Sequence, residues 1–253
     1  MKKLNVYITE KLKIGKRSYN YHPKTKEELQ ELLKQLIEER GNNGDFNDID
    51  TSEITDMSKL FYNMNEFNGD ISNWDVFKVT DMNNMFYCCE SFNHPLDKWD
   101  VSNVDNMEEM FKGCESFNQD LSDWNVSKVN DMGYMFEWCE SFNQPLNKWN
   151  VSNVSNMCGM FKGCKSFNQP LNKWNVSKVK NMGYMFYKCE SFNQPLDKWD
   201  VSKVEEMIQM FSNCKLFNQD LSKWNVSNVT SKGWMFECGC PIEKKYKPKF
   251  KRK

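Results

Sequence analysis

Hydrophobic and polar positions recur every 25 residues along most of the chain. The segments SFNQPLNKWNVSNVSNMCGMFKGCK and SFNQPLNKWNVSKVKNMGYMFYKCE follow each other directly and share most of their residues. Counted from its phenylalanine, a full repeat begins at Phe67, Phe92, Phe117, Phe142, Phe167, Phe192 and Phe217. An incomplete repeat precedes them, around 48–66. A fixed period of this length predicts stacked units, each of which buries its apolar side against its neighbours.

Nine positions of each repeat stay apolar, which predicts that they face inward. In the fourth full repeat they are Phe142, Leu146, Trp149, Val151, Val154, Met157, Met160, Phe161 and Cys164. The spacing of two between Trp149 and Val151 is typical of a strand, whereas the spacings of three and four from Val154 to Cys164 are typical of helical turns. We therefore predict an α/β repeat solenoid, right-handed, with short parallel strands and short helical turns.

The two ends of the chain depart from the repeat. Thr25 and Glu28 form a capping-box pattern ahead of leucines at helical spacing, which predicts an amphipathic helix that caps the first repeat. Lys232 stands where earlier full repeats have methionine, so the stack should end there. The predicted organisation is a basic N-terminal segment over 1–22, a capping helix over 23–45, a repeat region over 46–240 and a basic tail over 241–253.

Charge is distributed unevenly along a chain whose net charge is -1. Residues 1–22 carry a net charge of +5, residues 242–253 carry +6, and the 219 residues between them carry -12. The basic tail could contact an anionic surface, although a solvated tail that maintains solubility is the favoured interpretation. Because the repeat region is acidic, we do not expect a nucleic acid to be the ligand.

The chemistry needed for catalysis is scarce in this sequence. The chain has only two histidines, His22 and His94, and neither belongs to a recognisable catalytic motif. Six of the ten cysteines occupy one core position of the repeat, which predicts reduced, buried thiols rather than disulfides or a metal site. We therefore expect no enzymatic activity, no cofactor and no metal, and an enzyme of the β-helix type is a remote alternative.

Two faces of the predicted solenoid could bind a ligand. The strand face presents polar residues on both sides of the buried tryptophan, and its candidate residues are Lys98, Asp100, Lys148, Asn150, Lys173, Asn175, Lys198 and Asp200. The aromatic face lies on the helical side, and its candidate residues are Tyr134, Trp138, Tyr184, Tyr187 and Trp234. Grouped exposed aromatic residues often mark a contact surface. For the strand face, the structural alternative is a sheet surface that is merely solvated. For the aromatic face, the alternative is that duplication of two repeats produced the recurrence.

The pattern FNQPLDKWDVSKV...MF..C resembles the BspA-like leucine-rich-repeat family, in the variant found in repeat-bearing bacterial surface proteins. The resemblance covers about 48–240 and implies a leucine-rich-repeat-like solenoid. It also implies a cell-surface or lipid-anchored role in binding and adhesion, with no enzymatic activity in the repeat itself.

These observations lead to one functional prediction with an alternative. We expect a non-catalytic repeat scaffold, monomeric, that binds a protein or glycan ligand and works in surface adhesion. The first residues lack the apolar core of a secretory signal, and no apolar run is long enough to cross a membrane. The sequence itself thus favours a cytoplasmic location and an intracellular interaction or effector scaffold, whereas the resemblance favours the cell surface or secretion.

Overall fold

The computed structural model describes residues 18–250. Helix α1 spans Lys26–Arg40, and a 3-10 helix spans Lys244–Tyr246. No strand occurs within these described residues, whose inter-repeat β-pairing is limited to isolated parallel bridges. Most of the predicted basic N-terminal segment and the last three residues of the predicted tail lie outside the described residues.

The predicted fold class, a right-handed α/β solenoid with short parallel strands and short helical turns, is wrong. The segment around Trp149 and Val151 is not a strand, because the Trp149 N–H closes a turn on the Leu146 carbonyl at 3.1 Å and the Val154 N–H closes another on the Val151 carbonyl at 3.0 Å. Two successive turns leave too few extended residues for a ladder. Bridges join consecutive full repeats only at the fifteenth position, as between Asn156 and Asn181.

The second half of each repeat is not helical either. The eighteenth and twenty-second residues of every repeat have positive φ, for example 55° at Tyr134 and 61° at Trp138. A right-handed helix requires negative φ at every residue, so these positions interrupt it. Overlapping turns replace the helix, with the Glu137 N–H on the Tyr134 carbonyl at 3.0 Å and the Cys139 N–H on the Phe136 carbonyl at 3.0 Å. The repeat region is therefore a series of turns and irregular segments.

Consecutive repeats are joined by backbone hydrogen bonds, most of which run toward the following repeat, while the amide at the fourteenth position donates back to the preceding one, as Ser155 does to Asn130 at 2.9 Å. Amides at the sixteenth, eighteenth, twentieth and twenty-second positions donate to carbonyls at the fifteenth, seventeenth, nineteenth and twenty-first positions of the following repeat. In the fourth full repeat these bonds are Met157 to Asn181 at 3.0 Å, Gly159 to Gly183 at 2.8 Å, Phe161 to Met185 at 3.0 Å and Gly163 to Tyr187 at 2.7 Å. The repeats therefore stack in register.

Buried side chains supply further hydrogen bonds between repeats. The indole N–H of Trp149 donates to the Leu121 carbonyl at 2.9 Å, and the thiol of Cys164 donates to the Phe136 carbonyl at 2.9 Å. On the surface, the Asn143 side-chain oxygen accepts the Asn168 N–H at 3.0 Å. These groups satisfy backbone atoms that a strand ladder would otherwise have paired, which explains why tryptophan, cysteine and asparagine recur at fixed positions.

The predicted inward positions are confirmed. All nine apolar positions of the fourth full repeat are buried, and the most exposed of them, Trp149, has 3% of its surface accessible. The phenylalanines stack along the core, with ring centroids 4.2 Å apart for Phe161 and Phe167 and 5.8 Å apart for Phe161 and Phe186. The stacked rings form a narrow core that runs continuously through the repeats.

All ten cysteines are free thiols. Those at the core position of the repeat are fully buried, and burial raises the pKa of thiols such as Cys139 and Cys164 well above the ordinary value. Because the thiolate is the reactive form, these side chains serve as hydrogen-bond donors in the core and are poor nucleophiles.

Helix α1 packs on the incomplete first repeat. The Thr25 hydroxyl accepts the Glu28 N–H at 3.2 Å, and the helix ends at Gly41, whose φ of 75° suits glycine. Leu29, Leu33 and Leu36 are buried in the same core as the repeats. The predicted amphipathic helix is thus present, shorter than the 23–45 segment assigned to it.

Two ion pairs fix the ends of α1 to the incomplete repeat. The Arg40 guanidinium donates to both carboxylate oxygens of Asp48 at 2.8 and 3.1 Å. The Lys26 ammonium lies 3.2 Å from the Asp56 carboxylate and 2.5 Å from the Ser58 hydroxyl. The Arg40 hydrogen bond lowers the pKa of Asp48, and at Asp56 the hydrogen bonds from Ser58 and Lys26 outweigh the opposing effect of burial and lower the pKa as well.

Docking of α1 is therefore expected to weaken in acid. A carboxylate whose folded pKa is depressed contributes stability that is present above its unfolded pKa of about 3.9 and is lost as the pH falls through the folded value. Urea denaturation should give a lower free energy of unfolding at pH 3 than at pH 6. Asp48→Asn should cost roughly 1.5–3 kcal/mol at pH 6 and reduce the difference between the two pH values. An unchanged pH difference in that variant would contradict the assignment to Asp48.

Candidate functional site

The predicted strand-face residues lie on the surface, although no strand holds them. All eight are exposed. Their carboxylate and amide oxygens are already used within local turns, as at Asp100, whose Oδ1 accepts the Ser102 N–H at 3.1 Å. Two of their lysines also reach the preceding repeat, Lys98 to Asn73 at 3.2 Å and Lys148 to Asp123 at 2.7 Å. This face therefore offers few free acceptors, and its exposed ion pairs are weakly held.

The structure brings four of the five predicted aromatic residues close to lysines. The Lys112 ammonium lies 5.3 Å from the Tyr134 ring centroid. The Lys162 ammonium lies 5.6 to 6.0 Å from the ring centroids of Trp138, Tyr184 and Tyr187. The Lys188 ammonium lies 5.2 Å from the Trp138 ring and 5.5 Å from the Tyr187 ring. We call this surface, formed by Tyr134, Trp138, Lys162, Tyr184, Tyr187 and Lys188, the aromatic–lysine face. All six side chains are partly exposed.

Glycines in the next repeat make room for two of these rings. A Cβ added at Gly159 would lie 2.3 Å from the Tyr134 ring, and one added at Gly163 would lie 2.3 Å from the Trp138 ring. Each ring therefore lies flat on the backbone of the following repeat, where a side chain would displace it. The face depends on an aromatic residue in one repeat being followed by glycine at the same position of the next repeat. This alternation is why the aromatic residues recur every 50 residues, which is two repeats.

A buried glutamate connects the lysines beneath the face. Glu137 has 3% of its surface exposed, and its Oε1 lies 2.7 Å from the Lys162 ammonium. Its Oε2 forms an ion pair with the Lys112 ammonium at 3.0 Å. Lys112 also pairs with Glu109 at 2.7 Å. Burial alone would lower the pKa of Lys112, but the two glutamates raise it above its ordinary value.

Sequence reasoning missed Lys112, Glu137, Lys162 and Lys188. A signal for three of them was present, since the twenty-first position of successive repeats reads Tyr62, Tyr87, Lys112, Glu137, Lys162 and Tyr187. Residues 25 apart are direct neighbours across the stack, so opposite charges at this position predict a salt-bridge network. The same column also places Tyr62 against Tyr87, with ring centroids 4.6 Å apart.

The polar groups at the edge of the face are suited to recognition rather than to proton transfer. The Cys158 thiol donates to the Tyr134 hydroxyl at 3.1 Å. Burial is the main cause that raises the pKa of both groups, so both are neutral near pH 7. Within residues 18–250 no group of three or more His, Cys, Asp or Glu side chains is arranged to hold a metal ion. The arrangement can stack on a planar or apolar group and can hydrogen-bond to it.

The fifth predicted aromatic residue, Trp234, is separate from the other four. It lies in the last repeat with 64% of its surface exposed, and none of the described aromatic rings contacts it. An open groove of about 580 Å³ lies at the other end of the stack, between α1 and the incomplete repeat, and is lined in part by Ile37 and Met64. No predicted site residue lines this groove.

Comparison with known proteins identifies one family. A family described as "Mycoplasma protein of unknown function, DUF285" matches residues 28–149 and again residues 135–247, which together cover most of the chain. No curated protein and no solved structure matches the chain. None of the helices in the described part is long and apolar enough to span a bilayer. The chain belongs to the family of Mycoplasma proteins of unknown function designated DUF285.

Proposed function

We propose that this protein is a non-catalytic binding scaffold for a protein or glycan ligand, and that its contact surface is the aromatic–lysine face. The observation that supports the proposal is the clustering of three partly exposed aromatic rings around Lys162 and Lys188, with the Tyr134 ring beside the neighbouring Lys112. Tryptophan and tyrosine contribute strongly to binding energy at protein contacts, and their flat rings also pack against the C–H faces of sugars.

The frame beneath the face favours binding because it is already ordered. The backbone under Tyr184 and Tyr187 is tied to the next repeat by the Tyr184 N–H on the Ile208 carbonyl at 2.8 Å and by the Lys188 N–H on the Ser212 carbonyl at 2.9 Å. The ion pair with Glu137 holds the Lys162 side chain between the rings. A ligand would therefore lose little binding energy to ordering of the protein.

The test uses substitutions that the repeat itself already contains. Trp138→Gly, Tyr184→Gly and Tyr187→Ser introduce the residues found at the same positions as Gly163, Gly159 and Ser212. Positive φ at Trp138 and Tyr184 favours glycine, so the triple variant should fold like the wild type. The control is Lys148→Ala with Lys173→Ala and Lys198→Ala on the strand face.

Wild type and both triple variants would be screened against a displayed random peptide library and a glycan array. Ligands selected by the wild type should lose at least tenfold in affinity for the aromatic variant and retain their affinity for the lysine variant. Loss of binding in the lysine variant alone would assign the function to the strand face. Unchanged binding in both variants, or no selective ligand for the wild type, would contradict the proposal.

The resemblance to BspA-like surface proteins leads us to propose adhesion at the cell surface as the setting for this binding, with an intracellular interaction scaffold as the alternative. Protease treatment of intact source cells, followed by detection with an antibody against the repeat, separates the two. Loss of the protein from intact cells is the expected result. Protection until lysis would favour the intracellular alternative.

A further inference from the structure

The last repeat ends in a row of backbone amides without acceptors. In the six preceding full repeats, the amides at the sixteenth, eighteenth, twentieth and twenty-second positions donate to the following repeat. In the last repeat the same positions are Lys232, Trp234, Phe236 and Cys238, and within residues 18–250 no acceptor faces their N–H groups. We call these four amides the donor edge. Lys232, Trp234 and Cys238 are exposed, and Phe236 is partly exposed.

Most carbonyls beside the donor edge are already used. The carbonyls of Ser231, Gly233, Met235 and Glu237 accept amides from the preceding repeat. The carbonyls of Lys232 and Trp234 are used in turns, where they accept the Met235 and Glu237 N–H groups at 3.3 and 3.2 Å. An ordinary β-strand alternates donors and acceptors along its edge. If such a strand paired with the donor edge, the N–H groups of the strand would face the N–H groups of the donor edge. The edge therefore favours a ligand that supplies acceptors only.

Backbone geometry and charge support the same conclusion. Trp234 and Cys238 have φ values of 54° and 56°, as the residues at these positions do in the earlier repeats, so the four N–H groups point outward in one row like the paired amides before them. Four of the inter-repeat peptide dipoles in each repeat, those of the donating amides, point toward the last repeat and outnumber the ones that point back, so partial positive charge accumulates at this end of the stack, as at the N-terminus of a helix.

Lysine side chains add full charges at the same end. The Lys232 ammonium lies 4.2 Å from the Phe250 ring centroid, and the Lys247 ammonium lies 5.3 Å from that of Phe236. Lys244 and Lys245 follow in the adjoining 3-10 helix, where Lys245 pairs with Glu243 at 2.9 Å. Glu237 is the one carboxylate of the 231–238 segment. The sign of the local charge therefore agrees with the direction of the backbone dipoles.

We infer that the donor edge is a binding site for an oxyanion, a carboxylate or a phosphate group, distinct from the aromatic–lysine face. The amides hydrogen-bond to the oxyanion, the lysines neutralise its charge, and the exposed Trp234 ring packs against the group that carries it. The ligand is either a free phosphate compound or an acidic side chain of a partner protein, since both present the same acceptor oxygens.

The test is an NMR titration of the full chain labelled with ¹⁵N. Sodium phosphate is added against sodium chloride of matched ionic strength, and a capped peptide of six glutamates is added in a separate series. The four donor-edge amides should shift downfield and saturate. The amides of Met207, Gln209, Phe211 and Asn213 occupy the same positions one repeat earlier, where they are already paired, and should not move. They provide an internal control.

The two probes distinguish the sources of the anion. Saturation with phosphate alone would identify a phosphate ligand, and tighter saturation with the glutamate peptide would identify an acidic protein segment. Lys232→Met restores the residue of the other repeats and keeps the amide, so it should weaken binding only about two- to fivefold. Failure of both probes to move the donor-edge amides beyond the chloride reference, or equal shifts in the paired amides, would overturn the inference.

Discussion

Trp149→Ala is expected to lower the free energy of unfolding by about 3–5 kcal/mol, as for other large buried aromatic side chains truncated in a core. Two losses add in this variant. A cavity forms beside the stacked ring of Trp174, whose centroid is 6.5 Å away, and the Leu121 carbonyl loses the indole N–H that it accepts at 2.9 Å. Because each repeat is stabilised by its neighbours, the damage should spread and unfold the whole stack.

Urea denaturation followed by circular dichroism provides the measurement for Trp149→Ala. Trp149→Phe keeps one aromatic ring but removes the indole N–H and part of the ring volume, so it leaves a smaller cavity and should cost less than Trp149→Ala. Lys148→Ala is the neighbouring control. Its ion pair with Asp123 is exposed, and we expect a change of less than about 0.5 kcal/mol. A Trp149→Ala protein with the same urea midpoint as the wild type would refute the role assigned to the tryptophan ladder.

Met157→Lys is expected to cost at least about 4 kcal/mol at pH 7, because it places an unpaired charge in the core. Met157 is fully buried, as are Met132 and Met182 at the same position of the adjacent repeats. The chain itself contains the matched substitution, since Lys232 stands at this position in the last repeat and is exposed. Lys232→Met should therefore change stability by less than about 1 kcal/mol.

The cost of Met157→Lys should also depend on pH in a defined direction. A buried lysine has a folded pKa below its unfolded value of about 10.4, so the unfolded chain binds more protons and stability rises with pH up to that value. Denaturation at pH 7 and pH 9.5 should show partial recovery of this variant relative to the wild type. An equal loss at both pH values would indicate that steric overpacking, rather than the charge, causes the destabilisation.

The sequence allowed the core to be predicted far better than the backbone. Burial at Phe142, Trp149 and Met157 follows from the period alone, because any stack of like units buries the positions that stay apolar. The same apolar spacing between Val154 and Cys164 is produced by a helix and by overlapping turns. The positive φ that distinguishes them falls on positions with no consistent residue type, where Tyr134 and Gly159 both occur.

The aromatic–lysine face was predictable only in part. Recurrence at 50 residues indicated Tyr134 and Tyr184, since aromatic residues on one register position must lie on one surface. The burial of Glu137 was not predictable, because the position that it shares with Tyr187 does not indicate that neighbouring side chains shield it from solvent. Its burial depends on how Lys112 and Lys162 fold over it from the two adjacent repeats, which is a property of long side chains rather than of spacing.

The identical bonds between successive repeats determine how the protein would respond to mechanical tension. A pulling force along the stack detaches the outermost repeat first, and each detachment exposes a new outer repeat held by the same set of amides. Every step releases 25 residues, or roughly 80–90 Å of chain. The molecule would extend in equal increments at similar forces, and would thus dissipate mechanical work when its two ends are pulled apart.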